Sequence, residues 1–195
     1  MIGVELRRGK KVTGTVEADE GIFPTTAEGL AKLRPAKADG TVSFGTQTFP
    51  ADGNAGIVVT TKERAAELSR DPAVKIRLRS YGTCRVEKAH MPLAVVPAAR
   101  QALERAGVTI EQCAAVKTHN PFAVNDVLFS REMGLAPETF NRFGSPLVWG
   151  HPQAPTGLRA VAELLEELVA AGGGVGLFSG CAAGDTAMAV VLEVG

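Results

Sequence analysis

The chain has 195 residues, 45% hydrophobic and 22% charged, which suits one ordinary domain plus part of a second and excludes wholesale disorder. Lys+Arg and Asp+Glu both number 21, so the formal charge is zero and no global field draws nucleic acid or an anionic membrane. Its three cysteines form no CxxC pair and no apolar run approaches the roughly 20 residues of a membrane span; the start, Met1-Ile2-Gly3-Val4-Glu5, does not read as a secretory signal. The expectation is a reduced, soluble, cytoplasmic protein with neither nucleic acid nor membrane as partner. Many glycines (22) with few aromatics (5%) point to tight turns and close backbone packing.

Met1 to Val16 alternates weakly and reads as loop or short edge strands. Thr25 to Leu33 carries a Thr cap and apolar residues at helical spacing, and Arg34-Pro35 ends that helix. Gly40 to Phe44 and Ala55 to Thr60 read as two strands, after which Thr61 opens a helix through Leu68. From residue 73 a regular rhythm begins: a strand at Val74–Arg79, a helix from Pro97 to Ala106 closed by Gly107, and a strand at Ala114–Thr118. A helix from Pro121 to Met133 stopped by Gly134 follows, then a helix from Pro155 to Ala171 ended by Gly172-Gly173-Gly174. Val175–Ser179 and Thr186–Glu193 are read as strands flanking a tight turn, Cys181 to Asp185. The order β-α-β-α-(β)-α-β-β predicts an α/β fold with a mixed sheet covered by helices.

Three segments place reactive side chains beside turns or helix starts: His119-Asn120-Pro121-Phe122, Trp149-Gly150-His151-Pro152 and Gly180-Cys181-Ala182-Ala183-Gly184. Helix N-termini favour developing negative charge, and α/β ligand sites collect at one end of the sheet. The bland alternatives stay open: a lone His before proline is often a structural hydrogen-bonding residue, and a Cys in an apolar turn is often a small filler, the reading given to Cys84 and Cys113. A zinc site from His119, His151 and Cys181 lacks ligand spacing, so no metal is expected.

In this order, the segments resemble the carboxyl-terminal half of the thiolases. Gly150-His151-Pro152-Gln153-Ala154-Pro155-Thr156-Gly157-Leu158-Arg159 resembles the family's Gly-His-Pro-x-Gly-Ala-Ser-Gly-Ala-Arg block, and Cys181 through Glu193 resembles the closing Cys-x-Gly-Gly-Gly block and last strand. His119-Asn120-Pro121-Phe122 stands where many members carry Asn-Glu-Ala-Phe and is nearer the His-Asp-Cys-Phe form of the sterol-carrier-protein-type branch. Leu33-Arg34-Pro35-Ala36 and Gly40 to Gly53 resemble the end of the loop region and amino-terminal domain. The resemblance implies two parts: residues 1–72, the end of the loop region and an incomplete amino-terminal domain, and residues 73–195, the carboxyl-terminal domain.

It also implies Claisen condensation or thiolysis of 3-ketoacyl-CoA, with coenzyme A and acyl-CoA as substrates and no permanently bound cofactor. His151 then matches the histidine that activates a nucleophilic cysteine, since the thiolate is what attacks. Cys181 matches the second cysteine, which moves a proton at the α-carbon or departing thiol, and His119 matches the holder of the thioester oxygen. Thr48 aligns with a serine that contacts coenzyme A, although Thr46-Gln47-Thr48 departs from Asn-Ala-Ser. Ala182 and Ala183 stand in place of glycines, and Ala154-Pro155-Thr156 replaces Gly-Ala-Ser. Neither Cys84 nor Cys113 has the context of the nucleophilic cysteine, which belongs to the amino-terminal half. The expectation is therefore a thiolase half that is inactive alone, completed by an amino-terminal half within a homo- or hetero-oligomer, with exposed apolar surface on residues 1–70. The alternatives are a non-catalytic module that binds acyl-CoA or a partner, and a decarboxylating β-ketoacyl synthase using both histidines.

Overall fold

The computed structural model describes residues 3–19 and 21–195; Met1 and Ile2, in the segment expected to be loop or edge strand, lie outside the described residues. The first described segment is a hairpin of β1 (Val4–Arg8) and β2 (Lys11–Val16) turning at Gly9, which takes φ 63. Thr26 caps α1 (Ala27–Ala31) by accepting from the Gly29 amide, and Thr61 caps α2 (Lys62–Leu68) by accepting from Arg64. The strands expected at 40–44 and 55–60 do not form: the first makes only an isolated bridge between Pro35 and Ser43, and the second is unpaired. A strand needs a neighbour for its ladder, and no neighbouring strand stands there among the described residues. Val58 and Val59 are each 77% exposed as a result.

The remainder is a three-layer sandwich. Its sheet has four strands in the order β3 (Ile76–Arg85), β6 (Thr186–Val194), β5 (Gly174–Ala182), β4 (Cys113–His119). β4 and β5 run parallel, and β6 is antiparallel to both its neighbours. On one face lies α3 (Val95–Ala106), where Val95, Ala98, Ala99 and Ala102 pack on Leu177, Ala189 and Val191. On the other lies α6 (Thr156–Ala170), with Ala160, Leu164 and Leu168 against Ala115, Phe178 and Leu192. Between β4 and α6 come α4 (Ala123–Met133) and the single-turn α5 (Pro146–Trp149). Gly107 (φ 66) and Gly134 (φ 70) end α3 and α4 in the left-handed conformation that the sequence pattern assigns to them.

Two further expectations are corrected. The bracketed strand between α4 and α6 is not formed. Asn141, at φ 54, breaks the extended chain beside the open edge of β4 and covers that edge itself: its amide donates to the Val116 carbonyl and its Oδ1 accepts from the Thr118 amide. Cys181 lies not in the final turn but within β5, opposite Ala187, because pairing runs on to Ala182 and Thr186 and leaves Ala183–Asp185 as the turn. Gly184 (φ 81) and Asp185 (φ 58) supply the reversal.

Gly82 in β3 faces the α3 backbone so closely that a Cβ there would lie 2.2 Å from the Ala98 carbonyl oxygen. Gly82→Ala is expected to push α3 off the sheet and cost about 1–3 kcal/mol, the range for overpacking. Urea denaturation reads this as a lower midpoint with an unchanged slope.

Candidate active site

The site gathers where β4 and β5 end side by side. His119 is the last residue of β4 and pairs with Gly180 of β5. A Cβ on Gly180 would meet the His119 Cβ at 3.0 Å and the Phe178 ring at 2.7 Å, so the absent side chain makes room for the imidazole. His151 follows α5 after Gly150, which turns at φ 87 against Phe49 and Ala51. The two rings meet with centroids 4.6 Å apart and planes at 43°. His151 Nδ1 is 2.7 Å from the Thr156 hydroxyl on the first turn of α6, which leaves Nε2 as the free ring nitrogen. His119 is 7% exposed and its Nδ1 has no partner.

Burial lowers the affinity of both imidazoles for a proton. For His119, with the His151 ring as a second cause, the pKa falls to about 4; His151 is lowered by burial alone. Near neutral pH both rings are therefore uncharged. In the tautomer whose Nδ1–H donates to the Thr156 hydroxyl, a neutral His151 accepts a proton at Nε2, and a neutral His119 still carries one N–H to offer an oxygen.

Cys181 is the residue after the His119 partner on β5, which puts the two Cα atoms roughly 6 Å apart by strand spacing and rise. Its side chain leaves the opposite face of the sheet, among the residues packed on α3, whereas His119 leaves toward α6. Asn125 Nδ2 in the first turn of α4 donates to Cys181 Sγ at 3.5 Å. Burial raises the thiol pKa, partly offset by that donor, so the group rests as a thiol, a proton source rather than a ready nucleophile. Cys113 is also pushed up, to about 11, mainly by burial. It packs against the α3 cluster together with Cys84, in line with the filler reading.

Thr48 belongs to a strap, residues 46–50, that runs between the histidine loops. On one side the Thr48 amide donates to the Pro121 carbonyl and Ala123 donates back to Thr46; on the other, Thr48 Oγ1 donates to the Pro146 carbonyl and the His151 amide to Phe49. Strap and loops wall an open cleft of about 240 Å³, lined by Thr48, Phe49, Pro121, Phe122, His151 and Gln153. Among the described residues no group of three His, Cys, Asp or Glu is arranged to hold a metal ion.

Residues 72–194 match the family described as the thiolase C-terminal domain. The chain belongs to the thiolase family. It is 34% identical over 189 residues to the acetyl-CoA acetyltransferase of Syntrophomonas wolfei, covering 95% of this chain and 47% of that protein. It is 37% identical over 163 residues to the human peroxisomal 3-ketoacyl-CoA thiolase, covering 83% of this chain and 38% of that one. The crystal structure of the Bacillus anthracis acetyl-CoA acetyltransferase superposes with a TM-score of 0.89 at 29% identity, over 100% of this chain and 49% of that chain. This thiolase chain thus spans about half the length of the curated relatives it matches.

Sequence patterning pointed to His119, His151 and Cys181 but not to Asn125 or the neighbouring Asp126, which lie inside the helix expected from Pro121 to Met133; Asn125 is 1% exposed. The signal available was the mixed character of α4, whose buried residues are Asn125 and Phe129.

The pH dependence of stability follows from His119. The unfolded chain takes up its proton near pH 6.5 and the folded chain only near 4, so stability falls as pH drops through that window, by on the order of 3 kcal/mol. Denaturant midpoints at pH 7, 5.5 and 4 should show this fall, reduced in His119→Asn. For the thiol, Asn125→Leu removes the donor to Sγ and leaves the burial, so the ultraviolet thiolate absorbance of Cys181 should appear at higher pH than in the unmodified chain.

Proposed function

We propose that this chain is the carboxyl-terminal half of an acyl-CoA C-acyltransferase, acting in Claisen condensation or thiolysis of 3-ketoacyl-CoA once an amino-terminal half supplies the nucleophilic cysteine. The observation that carries the reading is the contact of two neutral imidazoles, His119 and His151, at 4.6 Å beside an open cleft. In the thiolysis direction, His151 Nε2 takes the proton of the incoming cysteine, whose sulfur attacks the 3-keto carbon. The C2–C3 bond breaks, and its electron pair passes onto the thioester oxygen as an enolate, to which the His119 N–H donates. Cys181 returns a proton to C2, releasing acetyl-CoA; coenzyme A then takes the acyl group from the cysteine, its thiol proton passing to Cys181, and His151 returns its proton to the freed cysteine. The cleft receives the thioester arm of coenzyme A along Thr48 and Phe122.

Support for a partner half comes from surface and length together. Large apolar side chains at Phe23, Phe44, Val58 and Val59 are more than 70% exposed, and the chain covers 47% of its acetyltransferase relative. Residues 55–60, patterned as a strand but unpaired, are where an added sheet would join. The histidine at position 119 favours the sterol-carrier-protein-type branch, and an assembly of more than one copy fits the exposed apolar area. A second reading, a non-catalytic module binding acyl-CoA, draws on one observation: Cys181 is 8% exposed and packs in the cluster on the α3 side of the sheet.

Mixing this chain with a separately produced amino-terminal half and following cleavage of acetoacetyl-CoA tests the reading. Turnover is expected only in the mixture, falling at least 100-fold with His151→Ala, in keeping with loss of a positioned proton acceptor. A stable complex that turns over equally well with His151→Ala and Cys181→Ala together overturns the catalytic assignment. Coenzyme A binding without turnover selects the module.

A further inference from the structure

Behind the two imidazoles lies a partly buried polar cluster that takes no part in the chemistry described above. Its centre is the Asp126 carboxylate in the first turn of α4. Three donors converge on it: the Thr118 hydroxyl at 2.7 Å, the Asn120 side-chain amide, and the Asn141 side-chain amide at 3.4 Å. None is charged, and burial raises the Asp126 pKa against their pull. A carboxylate drawn out of water without a cation is costly, and the donors that converge on both of its oxygens offset part of that cost. Asn120 spends its other side-chain atom elsewhere: Oδ1 accepts from the Leu147 amide, in the turn α5 that leads directly into Gly150-His151. Asn120 is also the residue after His119 and is 1% exposed.

We propose that Asp126 is a positioning residue for the imidazole pair, clamping Asn120 so that one side chain fixes both the end of β4 bearing His119 and the turn bearing His151. The proposal deepens the acyl-transfer reading in its consequence for turnover, while its geometric part rests only on the cluster. The chemistry of the clamp is acceptor-only. All three partners arrive as donors, so an ionised carboxylate suits them and a carboxamide does not: in Asp126→Asn one edge of the group becomes a donor and faces another donor. The arm most exposed to this loss is the one to Asn120, because Thr118 and Asn141 also hold each other, Asn141 Nδ2 donating to Thr118 Oγ1 at 2.7 Å. Loss of the Asn120 arm leaves β4 intact and removes the direct tie between the two loops, which then keep only their separate bonds to the strap at residues 46–50 and can shift relative to each other.

Three variants of the full 195-residue chain separate positioning from mere stability. Asp126→Asn and Asn120→Ala each break the clamp, and Thr118→Val removes a different donor to the same carboxylate while leaving Asn120 in place. The readout is the nuclear Overhauser cross-peak between the His119 and His151 ring protons, assigned by isotope labelling of histidine. Asp126→Asn and Asn120→Ala are each expected to weaken it several-fold, the double variant no further than either alone, and Thr118→Val to leave it unchanged while lowering the thermal midpoint. An equal loss in Thr118→Val, or an undiminished cross-peak in either clamp variant, overturns the proposal; if Asp126→Asn does not fold, Asn120→Ala carries the test. In the mixture with an amino-terminal half, the clamp variants should lower kcat by on the order of 100-fold with KM for coenzyme A little changed, the scale for a misplacement of about 1 Å. A KM effect alone overturns the link to turnover. If the mixture is inactive even without substitutions, the acyl-transfer reading fails and the cross-peak still decides the clamp.

Discussion

The parallel pairing of β4 with β5 is the constraint on which the site depends. Parallel strands end at the same edge, so the last residue of β4 and the last residues of β5 emerge together. That register sets His119 opposite Gly180 and puts Cys181 one step beyond. Alternation then decides the rest: successive side chains leave opposite faces, so imidazole and thiol are close in backbone but directed into different layers. Each layer meets its group with its own machinery, α6 with Thr156 for the histidines and α4 with Asn125 for the cysteine.

Around this edge, polar side chains take over work that backbone ladders do elsewhere. Lys117 is fully buried; its ammonium reaches Glu163 of α6 at 2.8 Å and the Gly144 carbonyl at 2.8 Å, tying helix, sheet and the loop before α5. Arg159 shares Glu163 at 3.1 Å and stacks over Trp149. Breaking such a pair leaves an uncompensated buried charge and costs several kcal/mol. Arg142 does similar service lower down, donating to Glu167 and to the Ala114 carbonyl. The open edge of β4 is thereby covered by Asn141 and Arg142 in place of a further strand.

How much of this was legible depends on the range over which each cause acts. Caps and stops are local, so Thr61, Gly107 and Gly134 declare themselves from a few neighbours. The apolar stripe of α6 is equally plain. Local reading fails where the deciding partner is distant in sequence. Lys117 and Thr118 fall in the strand expected at Ala114–Thr118, but the partners that hold their side chains, Glu163 and Asp126, come from other helices. Asn141 falls in a stretch that could extend, and only the amide it offers to β4 explains why it does not. Residues 55–60 show the opposite failure: a sound strand pattern with no ladder to join. For the site itself, motif resemblance singled out the two histidines and the cysteine, but not the opposite faces on which they stand, which belong to register.

The strap at residues 46–50 has a mechanical corollary. It is stitched along both borders, to Pro121 and Ala123 on one side and to Pro146 and His151 on the other. Tension on its upstream arm is therefore divided between both banks, and the two imidazole-bearing loops are carried along as one raft instead of being prised open.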